Sequence, residues 1–478
     1  MPAFYDSHCH MMNLSHPNLT AMIKRTFKGA IPGSLIKLFD SLNALPLALK
    51  LIIWLLLFLP LLIVLTLAVL IGLVVVLLLI IPSTQSSLIG KFKDKVANVM
   101  NLLAVMETDI GDCMIQLEEE LRLKYDAKGG LTLYGGSGEK KVYDKIVMTP
   151  LIMDFGLKNY EKSNSPYKVR WKPIVAQVED LCLGIRDYNL HRAAYVKSPN
   201  GEVPPPLFAI HPFMGINTRN YELKTFPSKP GYTSFLEDLL DKNFSEFKND
   251  TSPEMRLDNL SRRDWSKFNG NIESIGSHDF AGIKVYPPLG FNPWPEDGDG
   301  YADNQELQHE CEKVHYLYDF CILHNIPLTA HCSDGGFLVD KKYRDFTNPA
   351  KWEKVLQQKE YETLRLNLAH FGGVEREDWR DKVADLVLKY ENVYTDISYQ
   401  GVDQKVYGRL KLFFDNYNTV NRTRLIKKII FGSDFMINLQ DIQTYSTYLQ
   451  YFADTTAFTL EEKDLLCNGN AMRYLFLA

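Results

Sequence analysis

The stretch Ala3-Phe-Tyr-Asp-Ser-His-Cys-His10 opens the chain as a short apolar run that ends in a His-x-His pair. Alternate side chains of an extended strand face the same way, so His8 and His10 can converge on one ion. Near the other end of the chain, the apolar pair Ile429–Ile430 leads into Gly432-Ser-Asp434. Imidazole and carboxylate donors suit zinc or a similar divalent ion.

Seven further runs rich in Val, Ile and Leu have turn residues nearby, as is typical of strands buried on both faces. They span 145–154, 206–213, 280–286, 327–331, 364–370, 392–397 and 428–434. Polar, helix-compatible stretches separate them. Together with the first strand they predict an α/β fold, a (β/α)8 TIM-like barrel, with a doubly wound sheet as the alternative.

Chemistry in such a barrel takes place at the carboxyl ends of the strands, where the βα loops converge. Donor side chains lie at the ends of several predicted strands, and a random scatter of histidines would not produce this pattern. We therefore predict metal ligands at His8, His10, Lys284, His331, His370 and Asp434. His211, Arg219 and Tyr286 are predicted substrate contacts, although a core or loop role suits each of them equally well.

Some of these residues have competing interpretations. Asp434 taken alone suits a helix N-cap. Lys284, at a strand end and poorly hydrated, either carries a carbamate that bridges two metals or holds a substrate carboxylate. In the metal interpretation, a divalent ion lowers the pKa of water from about 15.7 to about 7. Asp434 then accepts the proton, and His370 is a ligand or an electrophile.

The chain resembles the amidohydrolase superfamily, and within it the amidohydrolase-related (type 2) branch. The matching segments are Asp6–His10, Gly282–Pro288, Ala330–Cys332, Ala369–Gly373, Gly432–Asp434 and Gly469–Arg473. The resemblance implies a (β/α)8 barrel with His8, His10, His331 and Asp434 as core ligands and Asp434 as proton acceptor. It implies that His370 is a second-metal ligand or catalytic residue, and that Lys284 occupies a position that some members carbamylate.

The predicted activity is hydrolysis of a C–N, C–O or P–O bond by metal-activated water, with one or two divalent ions, Zn2+ first among them. A decarboxylase or hydratase of the same branch is one alternative, and a catalytically silent membrane-tethered scaffold is another. A net charge of −5 gives no reason to expect nucleic acid as a partner. The seven cysteines contain no CxxC pair, which indicates reduced thiols.

One segment breaks the soluble pattern, because residues 51–81 carry no charge and are dense in Leu, Ile and Val. Residues 1–12 are predicted to form the first barrel strand, 13–140 an insertion with an apolar membrane segment at 44–82, and 141–478 the rest of the barrel. Since strand one must share a compartment with the other strands, we expect a helical hairpin, or alternatively a tilted helix.

The lysines that flank this segment place the catalytic barrel on the cytoplasmic side of a membrane. The expected partners are therefore a small-molecule substrate, amphiphilic if the site faces the bilayer, and membrane lipid. The sequence leaves the oligomeric state open, and a homo-oligomer is one of the alternatives.

Overall fold

The computed structural model describes residues 3–13, 15, 87–125, 130–136, 138–154, 174–197, 201–225, 234–298 and 300–476. Its strands are β1 Ala3–Cys9, β2 Leu131–Tyr134, β3 Lys140–Tyr143, β4 Lys145–Pro150, β5 Phe208–Ile210, β6 Phe213–Gly215, β7 Gly282–Val285, β8 Leu328–His331, β9 Leu366–Ala369, β10 Val393–Asp396 and β11 Ile429–Ile430. Apart from the antiparallel hairpin β2–β3, the pairings between these strands are parallel.

The parallel strands form two arcs, β1-β4-β5 and β6-β7-β8-β9-β10-β11. The third predicted strand is split between them because Pro212, which has no N–H, interrupts it after His211. The arcs join where the Ile152 amide donates to the Phe213 carbonyl at 3.1 Å. At the other junction the Ser7 amide donates to the Phe431 carbonyl at 3.1 Å. The α/β class is confirmed, and the pairings are those of a closed parallel barrel rather than an open sheet.

Helices cover the outside of this barrel. They are α1 Ser87–Glu107, α2 Ile110–Tyr125, α3 Ile174–Tyr195, α4 Leu236–Phe244, α5 Pro253–Leu260, α6 Gln305–Leu323, α7 Pro349–Gln357, α8 Glu377–Lys389, α9 Lys405–Asp415, α10 Thr419–Ile426, α11 Tyr445–Asp454, α12 Leu460–Asp464 and α13 Asn470–Phe476. The parallel strands of a βα repeat require such crossovers, and the buried faces of the helices supply the rest of the core.

The last helix, α13, closes the amino-terminal end of the barrel. The Tyr474 hydroxyl lies 2.8 Å from the hydroxyl of Thr329 on β8. Its ring lies 6.5 Å from Phe213 of β6 and 5.4 Å from Tyr394 of β10, measured between centroids. These partners come from opposite sides of the barrel and from the first halves of their strands. In the described part of the chain, α13 therefore fills the amino-terminal end of the barrel interior. This leaves the carboxyl end for a site.

The described part of the predicted insertion is packed into the domain. Helix α2 lies against both α3 and α11. Its Glu118 carboxylate is fully buried and accepts hydrogen bonds from Arg192 and from the Tyr188 hydroxyl on α3, the latter at 2.6 Å. Because an unpaired buried carboxylate is costly, these bonds fix α2 as an outer helix of the barrel.

Among the described residues, no helix has the length and apolar character needed to cross a membrane. The longest ones, α1, α3 and α6, all contain charged residues in their sequences. On this finding the predicted localisation, membrane-associated with the barrel on the cytoplasmic side, is wrong. The segment at 44–82, predicted to insert into the bilayer as a hairpin or tilted helix, lies outside the described residues.

Substitutions at Tyr474 test whether α13 closes and stabilises the amino-terminal end of the barrel. We expect Tyr474→Ala to lower the free energy of unfolding by about 3–5 kcal/mol, because it leaves a cavity between facing strands. Tyr474→Phe removes only the bond to Thr329 and should cost about 1 kcal/mol. Urea denaturation measures both. Tyr195→Ala is the control, since that side chain is 61% exposed. An equal loss of unfolding free energy in the control would contradict a stabilising role for Tyr474 inside the barrel.

Candidate metal centre

The predicted ligands meet at the open, carboxyl end of the barrel, beside a cavity of about 330 Å3. Each of them lies at the end of its strand or within a few residues of it. The residues that line the cavity come from the loops after β1, β4, β7, β8, β9, β10 and β11. They include His10, Met153, Tyr286, His331, Asp334, Phe337, His370, Glu375, Ser398, Tyr399, Asp434 and Asp441.

Four imidazole rings form a continuous row at this end. The rings of His8 and His10 are 5.5 Å apart between centroids. His8 and His370 are 4.7 Å apart, and His370 and His331 are also 4.7 Å apart. The predicted convergence of His8 and His10 agrees with this placement, although the pairing of β1 with β4 shifts register between Asp6 and Cys9.

His8, His10 and Asp434 place their donor atoms around one point. His8 Nε2 lies 3.5 Å from Asp434 Oδ1, and His10 Nε2 lies 3.1 Å from the same oxygen. His10 Nδ1 lies 2.9 Å from the Leu151 carbonyl, which can only accept, so Nδ1 carries the proton. His8 Nδ1 lies 3.0 Å from an Asp396 oxygen and is likewise the donor. In neutral rings both Nε2 atoms therefore present lone pairs to a carboxylate.

A second convergence lies between His331 and His370. Nδ1 of His331 and Nε2 of His370 are 3.0 Å apart. The opposite nitrogen of His331 lies 3.3 Å from the Gly335 carbonyl, and that of His370 lies 3.3 Å from the Ser398 carbonyl. If these two nitrogens donate to the carbonyls, the facing nitrogens are both unprotonated. Two opposed lone pairs repel each other unless a proton or a cation lies between them.

Burial sets the charge states of this cluster. Desolvation lowers the pKa of His8 to about 3, against the opposing effect of Asp396. Desolvation also lowers the pKa values of His331 and His370. The pKa of Asp434 is held below its usual range because hydrogen bonding with His10 and the nearby imidazoles outweigh the effect of burial. Neutral imidazoles and an ionised carboxylate are the forms that bind metals.

Lys284 lies beneath the imidazole row rather than in the cavity. It is 1% exposed, it does not line the cavity, and its Nζ has no hydrogen-bond partner among the described residues. Desolvation lowers the pKa of Lys284 to about 8, although Asp396 and Asp434 favour its charged form. This placement fits the metal-side interpretation of Lys284 better than a direct contact with a substrate carboxylate.

Asp396, at the end of β10, is a site residue that the sequence analysis missed. Its carboxylate accepts from His8 Nδ1 at 3.0 Å, from Asn367 Nδ2 at 2.7 Å and from the His370 amide at 2.9 Å. Ser398 donates to it through both its amide and its hydroxyl. Asp396 thereby orients the imidazole of His8 and anchors the backbone of His370. The available signal was its position, because Val393-Tyr-Thr-Asp396 is also a strand ending in a donor.

Asp6 was quoted in the first motif but was given no role. Its carboxylate accepts from the Ser433 amide at 2.8 Å, from the Ser433 hydroxyl at 2.6 Å and from the Tyr445 hydroxyl at 2.9 Å. Burial raises the pKa of Asp6 to about 7. Asp6 therefore ties β1 to the segment that carries Asp434.

The backbone around the site is strained. His370, Phe371, Tyr399, Asp434 and Met436 all have positive φ angles, between 47° and 68°. Such residues cost of order 1–3 kcal/mol each and cluster where a side chain must be aimed. At Asp434 the strain accompanies a 2.7 Å hydrogen bond from its amide to the His8 carbonyl.

Of the three predicted substrate contacts, the structure places one at the cavity and two away from it. Tyr286 lines the cavity, and its hydroxyl accepts from the Phe337 amide at 2.7 Å. His211 does not line the cavity, because its strand continues through β6 and its ring packs 6.3 Å from Phe476 of α13. Arg219 is also outside the lining, and its guanidinium lies over the Tyr343 ring at 5.5 Å.

Comparison with solved structures gives weak likenesses. A protein assigned as a metal-dependent hydrolase from Lactobacillus casei ATCC 334 is 11% identical with a TM-score of 0.37, over 98% of this chain and 93% of that one. Amidohydrolase 2 from Bifidobacterium longum subsp. infantis is 15% identical with a TM-score of 0.24, over 41% and 62%. A protein assigned as 2-pyrone-4,6-dicarboxylic acid hydrolase from Acinetobacter baumannii is 14% identical with a TM-score of 0.26, over 55% and 97%.

The sequence comparisons are more specific. No curated protein sequence matches the chain. The amidohydrolase family model (Amidohydro_2) matches residues 271–477. The matched region contains β7 to β11 and with them Lys284, His331, His370, Asp396 and Asp434. The match over residues 271–477 confirms the predicted resemblance to amidohydrolase-related proteins in this region, and it supports an enzyme of the hydrolase type.

Proposed function

We propose that this protein is a metal-dependent hydrolase that uses a divalent ion held by His8, His10 and Asp434 at the open end of the barrel. His331, His370 and Lys284 complete the set of candidate ligands. The observation that carries the proposal is that two buried imidazole nitrogens face one carboxylate oxygen, at 3.5 and 3.1 Å. Without a cation this arrangement leaves His8 Nε2 buried with no hydrogen-bond partner.

The donor set fits Zn2+ or a similar ion, because neutral imidazole and carboxylate are its common protein ligands. When bound, such an ion would polarise the scissile bond and lower the pKa of water to about 7. The separate pair formed by His331 and His370 supports a second ion in the same cluster. Lys284 lies below the row, as a neutral amine or a carbamate.

The roles of the chain's own side chains follow from their charge. Asp434 is ionised and can accept a proton from water and return it to the leaving group. Asp396 and the Leu151 carbonyl hold His8 and His10 in the tautomers that direct Nε2 at Asp434. Tyr286 and Tyr399 line the cavity and are positioned to contact a substrate.

The lining of the cavity bears on the class of substrate. Among the described residues that line it, none is Lys or Arg, whereas Asp334, Glu375 and Asp441 are acidic. A substrate rich in carboxylates would be repelled by these groups. This supports hydrolysis of a neutral or cationic small molecule at a C–N or C–O bond over decarboxylation of an anionic one.

Metal content tests the ligand set. We expect purified wild-type protein to contain at least one divalent ion per chain, and chelation to abolish hydrolysis of amide and ester substrates. His8→Ala and Asp434→Ala should each lose the ion and reduce activity at least 100-fold, of the order of a lost catalytic metal. His191→Ala is the matched control, because that histidine is exposed on α3. Full metal content in both ligand variants would contradict the site.

Asp396→Asn tests the role of Asp396 in orienting His8. The amide can keep one hydrogen bond but not the charge, so we expect metal affinity to fall about 10–100-fold. The measurement is competition with a chromophoric chelator, with folding checked by circular dichroism. Asp381→Asn on the exposed face of α8 is the control. Unchanged affinity in a folded Asp396→Asn protein would remove this role.

The pH dependence of metal affinity tests Lys284, whose lowered pKa is about 8. A protonated amine beneath the site repels a cation, so affinity should rise as pH increases through 8 and the proton is lost. In Lys284→Met the rise over this interval should be absent. Chelator competition between pH 7 and pH 9 measures it, and Lys351→Met is the control. An additional dependence on bicarbonate in the wild type alone would support the carbamate.

A further inference from the structure

A second group of metal-binding side chains lies outside the barrel cavity. Cys311 and His315 are on α6, and Glu296 is in the 3-10 turn Pro295–Asp297 that precedes it. None of the three lines the cavity described above. Cys311 and His315 are four residues apart, so they occupy the same face of the helix.

Their donor atoms are spaced as the corners of one coordination shell. Cys311 Sγ lies 3.4 Å from His315 Nε2 and 3.7 Å from a Glu296 carboxylate oxygen. That oxygen and His315 Nε2 are 3.9 Å apart. Tetrahedral zinc, with bonds of about 2.3 Å to sulfur and about 2.0–2.2 Å to nitrogen or oxygen, separates its ligands by roughly 3.3–3.6 Å. A small closure of these three groups reaches that spacing.

The cluster runs from the core to the surface. Cys311 is 2% exposed, whereas the side chains of His315 and Glu296 are 27% and 37% exposed. The ring of His315 packs between Trp294 and Tyr361, at centroid distances of 5.5 and 5.4 Å. The hydroxyl of Tyr301 is hydrogen-bonded to Cys311 and supplies a further oxygen next to the sulfur. An ion from solvent can therefore reach the cluster from the side of Glu296 and His315.

The cluster has electron-pair donors, and no Lys or Arg side chain of the described residues is paired with its carboxylate. Burial, with a smaller contribution from Glu296, raises the pKa of the Cys311 thiol to about 11. A divalent cation would compensate both effects, because it favours the thiolate and neutralises the carboxylate.

We propose that Glu296, Cys311 and His315 bind a zinc ion at a structural site distinct from the barrel centre. On binding, the Cys311 thiol releases its proton to solvent and forms a sulfur–metal bond, with no change of oxidation state. His315 binds as the neutral imidazole and Glu296 as the carboxylate, while water or Tyr301 takes the fourth position. The ion fastens the loop after β7, the strand of Lys284, to α6.

Cobalt substitution tests this site separately from the barrel, whose proposed ligands are nitrogen and oxygen atoms. Full-length His8→Ala protein, treated with chelator and dialysed, is titrated with Co2+. We expect a thiolate-to-cobalt charge-transfer band in the near ultraviolet that saturates at one equivalent of Co2+, whether or not nitrogen and oxygen ligands in the barrel bind more. The band should vanish when Cys311→Ala is added and persist with Cys321→Ala, a buried cysteine of the same helix. Glu296→Gln should weaken binding at least tenfold.

A thermal measurement supports the result if a variant binds poorly for other reasons. Saturating Zn2+ should raise the unfolding midpoint of the His8→Ala protein more than that of the His8→Ala/Cys311→Ala protein, because only the former keeps the Cys311 site. Absence of the charge-transfer band, or its survival in a folded Cys311→Ala variant, would overturn the proposal. Equal zinc stabilisation with and without Cys311 would overturn it as well. Neither outcome depends on the hydrolytic activity.

Discussion

Closure of the barrel between its first and last strands is the constraint on which the site depends. The Asp434 amide donates to the His8 carbonyl at 2.7 Å, and the His10 amide donates to the Phe435 carbonyl at 3.1 Å. These bonds bring together residues that are more than 400 positions apart in the chain. Asp6 reinforces them from outside by binding Ser433. The entropy of closing so long a loop is offset by the whole packed barrel rather than by these bonds alone.

The two ends of the barrel then serve different purposes. Tyr474 and its neighbours on α13 fill the amino-terminal end with aromatic packing, which needs no water and no charge. At the carboxyl end the same strands place imidazoles and carboxylates where water is largely excluded. Low hydration keeps His8, His331 and His370 neutral, and hydrogen bonding and nearby imidazoles keep Asp434 ionised. A buried set of lone pairs with this charge pattern is stabilised by a cation more than by solvent.

Orientation by neighbouring groups is as important as the ligands themselves. Asp396 and the Leu151 carbonyl select the tautomers of His8 and His10, and the Ser398 carbonyl does the same for His370. The strained backbone at Asp434 and His370 aims these side chains at the interior. The Glu296–Cys311–His315 cluster is arranged more simply. Two of its proposed ligands lie on one helix face, and the third lies in a turn that precedes the helix.

The sequence by itself determined the α/β class and the approximate positions of the strands, and it predicted donor side chains at the strand ends that the structure brings together. It could do so because strands buried on both faces are continuous apolar runs, and because a parallel barrel gathers their carboxyl ends. Lys284 and His331 were predicted as ligands for that reason. The family resemblance rests on the same short motifs, and the match over residues 271–477 supports it.

Only the tertiary structure decided which polar residues act together. Asp396 was missed because the local sequence around a carboxylate at a strand end does not distinguish a residue that orients a ligand from one that caps a helix. His211 was placed at the site because Pro212 made one broken strand resemble a finished one. The role of Glu296 beside Cys311 was invisible for a related reason. Its distance from the sulfur depends on a turn of the chain, which no periodicity in the sequence records.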